Sequence, residues 1–530
     1  MSAEQTCTNG THVDIDISKT AVGGKYKDAC DNTINVENEE NKPEKGYKKY
    51  THSFSSNCSI KNINHNGTKQ NGFPLTETVE YNKGVAVYYL SYDATNALPL
   101  IVGLEKSTGT DNYYYYKKDS YSLISNQWTG EDPEITEEHQ LPEKLKEIIK
   151  NLTTVIILRV DHVKNNTYFA SGDTSPPPTI NETLKIEVTG PSPIHKIYEK
   201  YTHTPVTAGS NIRLLSTKTS SKNIPFDPPV YEKKYSEAYV YFWEWDKTFS
   251  NPLLIQLGDG NTSVYYTYYS GSNSWRNPGN ITDSNLKDKL NEQNCEKNDA
   301  HVIDISKTSD GPYECPSCNY KQISVTEMTS TYGYYLHVVS NGYISRLKNG
   351  GAEQAGIKLP KDANQVFVFC SPKTSGNPLL IGLSATSDQS NVWYQRIKDP
   401  DTWSGVPKDR QPTGQDDEDG EISGLLQEID KEIKQGLGSQ SNGDGGGSDS
   451  AGESGAQDEE LEARNSHSGS GEESGAGHGS DGSQNTFQQI LGFITSHYGK
   501  ISGGLGATGG LIGLGIWKGP SILARLITRL

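Results

Sequence analysis

Asn377-Pro378-Leu379-Leu380-Ile381-Gly382-Leu383 is the third use of one short phrase, written earlier as Leu98-Pro99-Leu100-Ile101-Val102-Gly103-Leu104 and as Asn251-Pro252-Leu253-Leu254-Ile255-Gln256-Leu257. Proline has no amide hydrogen to give to a sheet, so each Pro-Leu pair marks the start of a strand rather than its middle. The same neighbours surround each phrase. An aromatic-aliphatic run precedes it (Val85 to Tyr89, Ala238 to Phe242, Gln365 to Phe369). A second aromatic run follows (Tyr113 to Tyr116, Val264 to Tyr266, Val392 to Tyr394), and a tryptophan closes it (Trp128, Trp275, Trp403). Runs this short, β-branched and aromatic, bounded by Gly, Asn, Ser and Pro, are strands. Threefold recurrence in a fixed order means three copies of one module.

The upstream halves agree in pieces. His12-Val13-Asp14-Ile15-Asp16-Ile17-Ser18-Lys19-Thr20 returns as His301-Val302-Ile303-Asp304-Ile305-Ser306-Lys307-Thr308, and Tyr-x-Lys-Tyr-Thr-His occurs at Tyr47–His52 and Tyr198–His203. Val13, Ile15 and Ile17 alternate with polar residues, which predicts a strand with one buried and one wet face. Each copy ends in a short amphipathic helix. The stripe is clear at Leu141, Leu145, Ile148, Ile149 and Leu152 and at Ile422, Leu425, Leu426, Ile429 and Ile433; the second copy offers only Leu286 and Leu290. The expected fold is mainly β: three tandem antiparallel β-rich modules at 10–153, 154–294 and 295–437, each closed by a helix.

The repeat resembles the FAINT domain, a module found in many copies in exported and surface proteins of Theileria and related blood parasites. The resemblance covers about residues 10–410 and rests on the DISKT opening, the aromatic strand, the PLLIGL-like strand and the final Trp. It implies a non-catalytic display or binding module that meets host or parasite proteins, and it brings no functional residues with it.

Charge is uneven. The chain carries a formal −17, and residues 411–485 alone hold 18 acidic against three basic residues. The remainder has no basic excess, which argues against a nucleic-acid partner. Residues 438–485, Gly, Ser, Asp and Glu in near-continuous alternation, read as a disordered acidic linker. Residues 486–530 read as an apolar helical tail. Its uncharged core from Ile501 to Trp517, with Leu505, Leu511, Ile512, Leu514 and Ile516, sits at the lower length limit of a transmembrane helix, and Lys518, Arg525 and Arg529 follow it. A membrane-associated location, at a cell surface or exported to the host, is the expectation. The N-terminus shows neither a basic region nor the apolar run of a secretory signal.

Chemical motifs are sparse. Cys315-Pro316-Ser317-Cys318 is an isolated CxxC with no second pair, so no metal or cofactor is expected. Cys7 and Cys30 flank the first DISKT strand as Cys295 and Cys315 flank its second appearance, and copy two lacks both, which points to a disulfide staple in each of the outer copies. Aromatics at Trp243, Trp245, Trp275 and Trp403 are candidates for an exposed binding platform, the basis of a second reading as a glycan- or small-ligand-binding module. No nucleophile–base pair, carboxylate pair or phosphate loop stands out, so no catalytic residue is assigned and a hydrolase is a remote third reading.

Overall fold

The computed structural model describes residues 12–438 except for 21–23, 56, 76–83, 106–112, 121–124, 131–134, 136, 151, 153, 164–165, 179–181, 259–261, 374–376, 386–390, 398 and 416–419. Cys7, most of the acidic linker and the apolar tail, including the segment Ile501–Trp517, therefore lie outside the described residues. Among the described residues, no helix is long and apolar enough to cross a membrane.

The described strands fall into three groups of ten with one topology. In the first copy, His12–Asp16, Ser59–His65 and Thr68–Gln70 make a small sheet. A seven-stranded sheet takes Lys25–Lys27, Thr33–Glu40 and Tyr47–Ser53, then Gly84–Leu90, Ile101–Glu105, Tyr113–Lys118 and Trp128–Gly130. The chain begins in the small sheet, lays three strands of the large one, returns for two, then finishes the large sheet. Copies two and three repeat this order, so the threefold repeat is a repeat of architecture.

One correction concerns strand direction. All neighbours in the large sheets are antiparallel, but the first strand of each small sheet runs parallel to its partner: His12–Asp16 beside Ser59–His65, Val155–Arg159 beside Arg213–Lys218, and Ala300–Asp304 beside Tyr343–Asn349. A parallel pair needs a long crossover, and here three strands of the other sheet supply it. Local patterning carries no trace of that direction.

The two sheets enclose one core, built in copy one from Val13, Ile15, Ile63, Val85, Val87, Tyr89, Leu104 and Trp128. The far face of the large sheet is covered as well. Ala86, Tyr88, Leu90 and Ile101 meet Leu141, Leu145, Ile148 and Ile149 of helix α1 (Leu141–Lys150), together with Val155, Ile157 and Leu215 from the small sheet of copy two. Ten residues are too few for a stable free helix, so α1 depends on this contact, each buried leucine or isoleucine contributing roughly 1.5–3 kcal/mol. Helix α2 (Leu286–Asn298) does the same against Tyr241, Trp243 and Leu254, with Ala300 of copy three joining the cluster. Helix α3 (Glu421–Gly438) covers Phe367, Phe369, Leu380 and Trp393.

The helix of copy two thus runs to Asn298, and the expected boundary at 294/295 falls inside it. It ends where Asp299 adopts a left-handed conformation (φ 50°) and its amide hydrogen bonds to Asn294 O. Gly72 and Gly356 fill equivalent tight corners at φ +91° and +83°, where a Cβ would lie 1.9 and 2.0 Å from the carbonyl oxygens of Trp128 and Trp403. Only glycine fits there.

Candidate functional site

Every copy sets a tyrosine against a fully buried histidine. Tyr26 Oη lies 3.4 Å from His52 Nδ1, Tyr168 Oη 3.2 Å from His203 Nδ1, and Tyr313 Oη 3.2 Å from His337 Nδ1. In copies one and three the same hydroxyl accepts the amide of the first strand's last residue, Asp16 at 2.9 Å and Asp304 at 3.0 Å. All three imidazoles are fully buried, with no hydrogen-bond partner at Nε2. Burial pushes His52 and His337 down to about 4 and His203 to about 3, so each stays neutral.

The closing tryptophans form a second link of this kind. Trp128 Nε1 donates to Gln70 Oε1 at 3.0 Å, Trp275 Nε1 to Thr217 Oγ1 at 2.9 Å, and Trp403 Nε1 to Gln354 Oε1 at 2.7 Å. These acceptors lie in or beside the small sheets. Trp275 and Trp403 are 0% and 3% exposed. They drop out of the expected aromatic platform, because the indole that terminates each copy is spent on joining its two sheets.

Trp243 and Trp245 keep a different place. Trp243 is buried against Tyr343 of copy three (ring centroids 6.2 Å apart), while Trp245 is half-buried. Both line a cleft of about 270 Å³ between copies two and three, walled by Ile197, Ile357 and Leu359 and edged by the exposed Lys196 and Lys358. Its floor is held by charge. Arg346 bonds both Glu353 and the carbonyl of His195, and Lys287 reaches Glu353 at 2.6 Å. Burial pushes the Glu244 carboxyl upward at the same cleft.

The cysteines give the other cluster, and in the third copy the structure differs from the expected staple. Cys30 is disulfide-bonded, but Cys295, Cys315 and Cys318 are free thiols. Cys295 Sγ and Cys315 Sγ stand 3.8 Å apart, nearly twice a disulfide length. Two further groups share the space. Cys318 Sγ and His301 Nδ1 are 3.7 Å from each other, and all four atoms lie within 4.8 Å of one another. Cys295 comes from the last turn of α2, His301 from the strand Ala300–Asp304, and the two others from the loop after Gly311–Glu314. The hydrogen bond from the Cys295 thiol, with further donors from His301 and the loop amides, holds Cys315 well below the ordinary thiol range, and the same bond pushes Cys295 up.

In the sequence Cys295 and Cys315 stand out as one pair and the CxxC as another, and His301 is joined to neither. The repeated Asp-Ile-Ser-Lys-Thr phrase begins three residues after that histidine, but nothing in linear spacing links His301 to a helix end six residues earlier and a loop fourteen later. Asp14 and Asp16, adjacent on one strand face, serve as local acceptors for Asn62 and Ser18. No family model matches the chain, and neither a curated protein nor a solved structure does.

Proposed function

We propose that this is a non-enzymatic parasite surface or exported protein, as its FAINT-like repeats suggest, whose three-module body binds a protein of the host or of the parasite. In this reading 438–485 is the spacer and 486–530 the membrane tether. The observation that carries it is the cleft between copies two and three. It combines a half-exposed Trp245 and an apolar wall with a rim of Lys196 and Lys358, the mixture of aromatic anchor and polar rim that protein interfaces favour. Its 270 Å³ falls below the roughly 300–1,000 Å³ of small-molecule pockets, which favours a side chain of a partner over a free ligand or sugar. His52, His203 and His337, one in each copy, are committed to the interior, which supports the same reading.

A photo-crosslinking residue placed at Lys196 or Lys358 of the full chain, in its own cells, tests this. The expected result is one dominant cross-linked polypeptide, strongly reduced by Trp245→Ala. Cross-linking that ignores Trp245→Ala, or saturation of the cleft by a glycan instead, would overturn it.

A further inference from the structure

We infer that Cys295, His301, Cys315 and Cys318 form a closed structural zinc site in the third module. This goes beyond the binding role and does not depend on it. Tetrahedral zinc with Zn–S near 2.3 Å and Zn–N near 2.0–2.1 Å requires sulfur–sulfur edges of about 3.8 Å and sulfur–nitrogen edges of about 3.5 Å. The observed separations are 3.8 Å for Cys295 Sγ to Cys315 Sγ and 3.7 Å for Cys318 Sγ to His301 Nδ1. A disulfide would draw two sulfurs to about 2.05 Å and leave the third thiol and the imidazole without purpose.

Asn319, at φ 55°, turns the loop back on itself; its amide donates to Cys315 O at 3.0 Å, and the Cys315 amide donates to Lys321 O at 2.8 Å. These bonds fix the segment that carries both Cys315 and Cys318. His301 is fully buried with Nδ1 toward the sulfurs; its Nε2 has no hydrogen-bond partner and lies 3.9 Å from the Asp299 carboxylate, which is placed to orient the ring as an outer partner. Four protein ligands, three of them buried, leave no open position for water or substrate, so the metal is structural rather than catalytic.

Its consequence is mechanical. Cys295 belongs to the helix that covers copy two, whereas the other three ligands belong to copy three. Zinc therefore fastens α2 to the first strand of the following module. Copy one differs at this corner: Val13 stands at the strand position of His301, and Cys30 is disulfide-bonded.

Metal analysis of the full chain, purified under reducing conditions without chelator, is expected to find one zinc per molecule. Cobalt exchanged into the site should give the visible bands of a tetrahedral cobalt thiolate. Cys318→Ser and His301→Gln should each weaken zinc retention at least tenfold, while Cys58→Ser and Cys370→Ser should leave it unchanged. Absence of stoichiometric zinc and of tetrahedral cobalt bands in the unaltered chain would overturn the assignment. So would a Cys295–Cys315 disulfide in the freshly isolated protein, or full retention of zinc by both cluster variants.

Discussion

His52, His203 and His337 occupy one position three times, and each is kept neutral by burial. An unfolded chain takes up protons at these sites below about 6.5, whereas the folded chain refuses them until pH 3–4. Their contribution is complete above the unfolded value and is lost as pH falls toward the folded one. At roughly 1.4 kcal/mol per pH unit, each costs about 2 kcal/mol of stability at pH 5 relative to pH 7. Denaturant titrations at the two pH values should show the midpoint drop; an unchanged midpoint would mean that the imidazoles are not shielded. Half of this was legible. Tyr-x-Lys-Tyr-Thr-His announced two of the histidines, but copy three writes the segment Tyr332-Gly-Tyr-Tyr-Leu-His337 and keeps only Tyr332, Tyr335 and His337 of it. The tyrosine partners come from another strand and leave no local mark. The same holds for the metal ligands, which three elements deliver to one point.

Strand patterning records which faces are covered. His12–Asp16 alternates strictly, with Val13 and Ile15 inward and its other face half-exposed. The corresponding Val155–Arg159 and Ala300–Asp304 are buried almost throughout, since the preceding module's helix packs on their outer side. That difference was present in the letters, as Val-Ile-Ile-Leu against Val-Asp-Ile-Asp, yet it becomes readable only once the modules are known to stack. Helices α1 and α3 were visible from their apolar stripes. Helix α2 was expected on Leu286 and Leu290 alone, because the rest of its inward face carries Asn291, Gln293, Asn294 and Cys295; Asn291 Oδ1 accepts from Tyr198 Oη at 2.7 Å, and Cys295 serves the cluster. Apolar periodicity cannot report a face that is satisfied by hydrogen bonds. For α1 the stripe makes a sharp expectation. Leu145→Ala should cost about 2–4 kcal/mol through lost burial and the cavity left behind. Its neighbour Lys146, exposed and paired with Glu143 and Glu44, should tolerate alanine with a change under about 0.5 kcal/mol. Urea unfolding of both variants checks this, and equal losses would contradict the packing.

At the scale of the molecule, the modules are layers of a single body rather than beads. Each large sheet lies between its own small sheet and a helix, and the first helix is shared with the next small sheet through Leu215, Val155 and Ile157. The described residues fall within one compact unit accordingly. Such a body suits display: its polar chemistry joins sheets, its metal site joins modules, and its open cleft faces outward between copies two and three. The account therefore stands or falls on where that body is found. Intact cells treated with a membrane-impermeant lysine reagent, then analysed by mass spectrometry, give the most direct answer. Labelling of exposed lysines such as Lys27, Lys196 and Lys358 without permeabilisation is the result expected of a displayed binding body. Labelling of those lysines only after permeabilisation, in the producing cell and in its host alike, would contradict it.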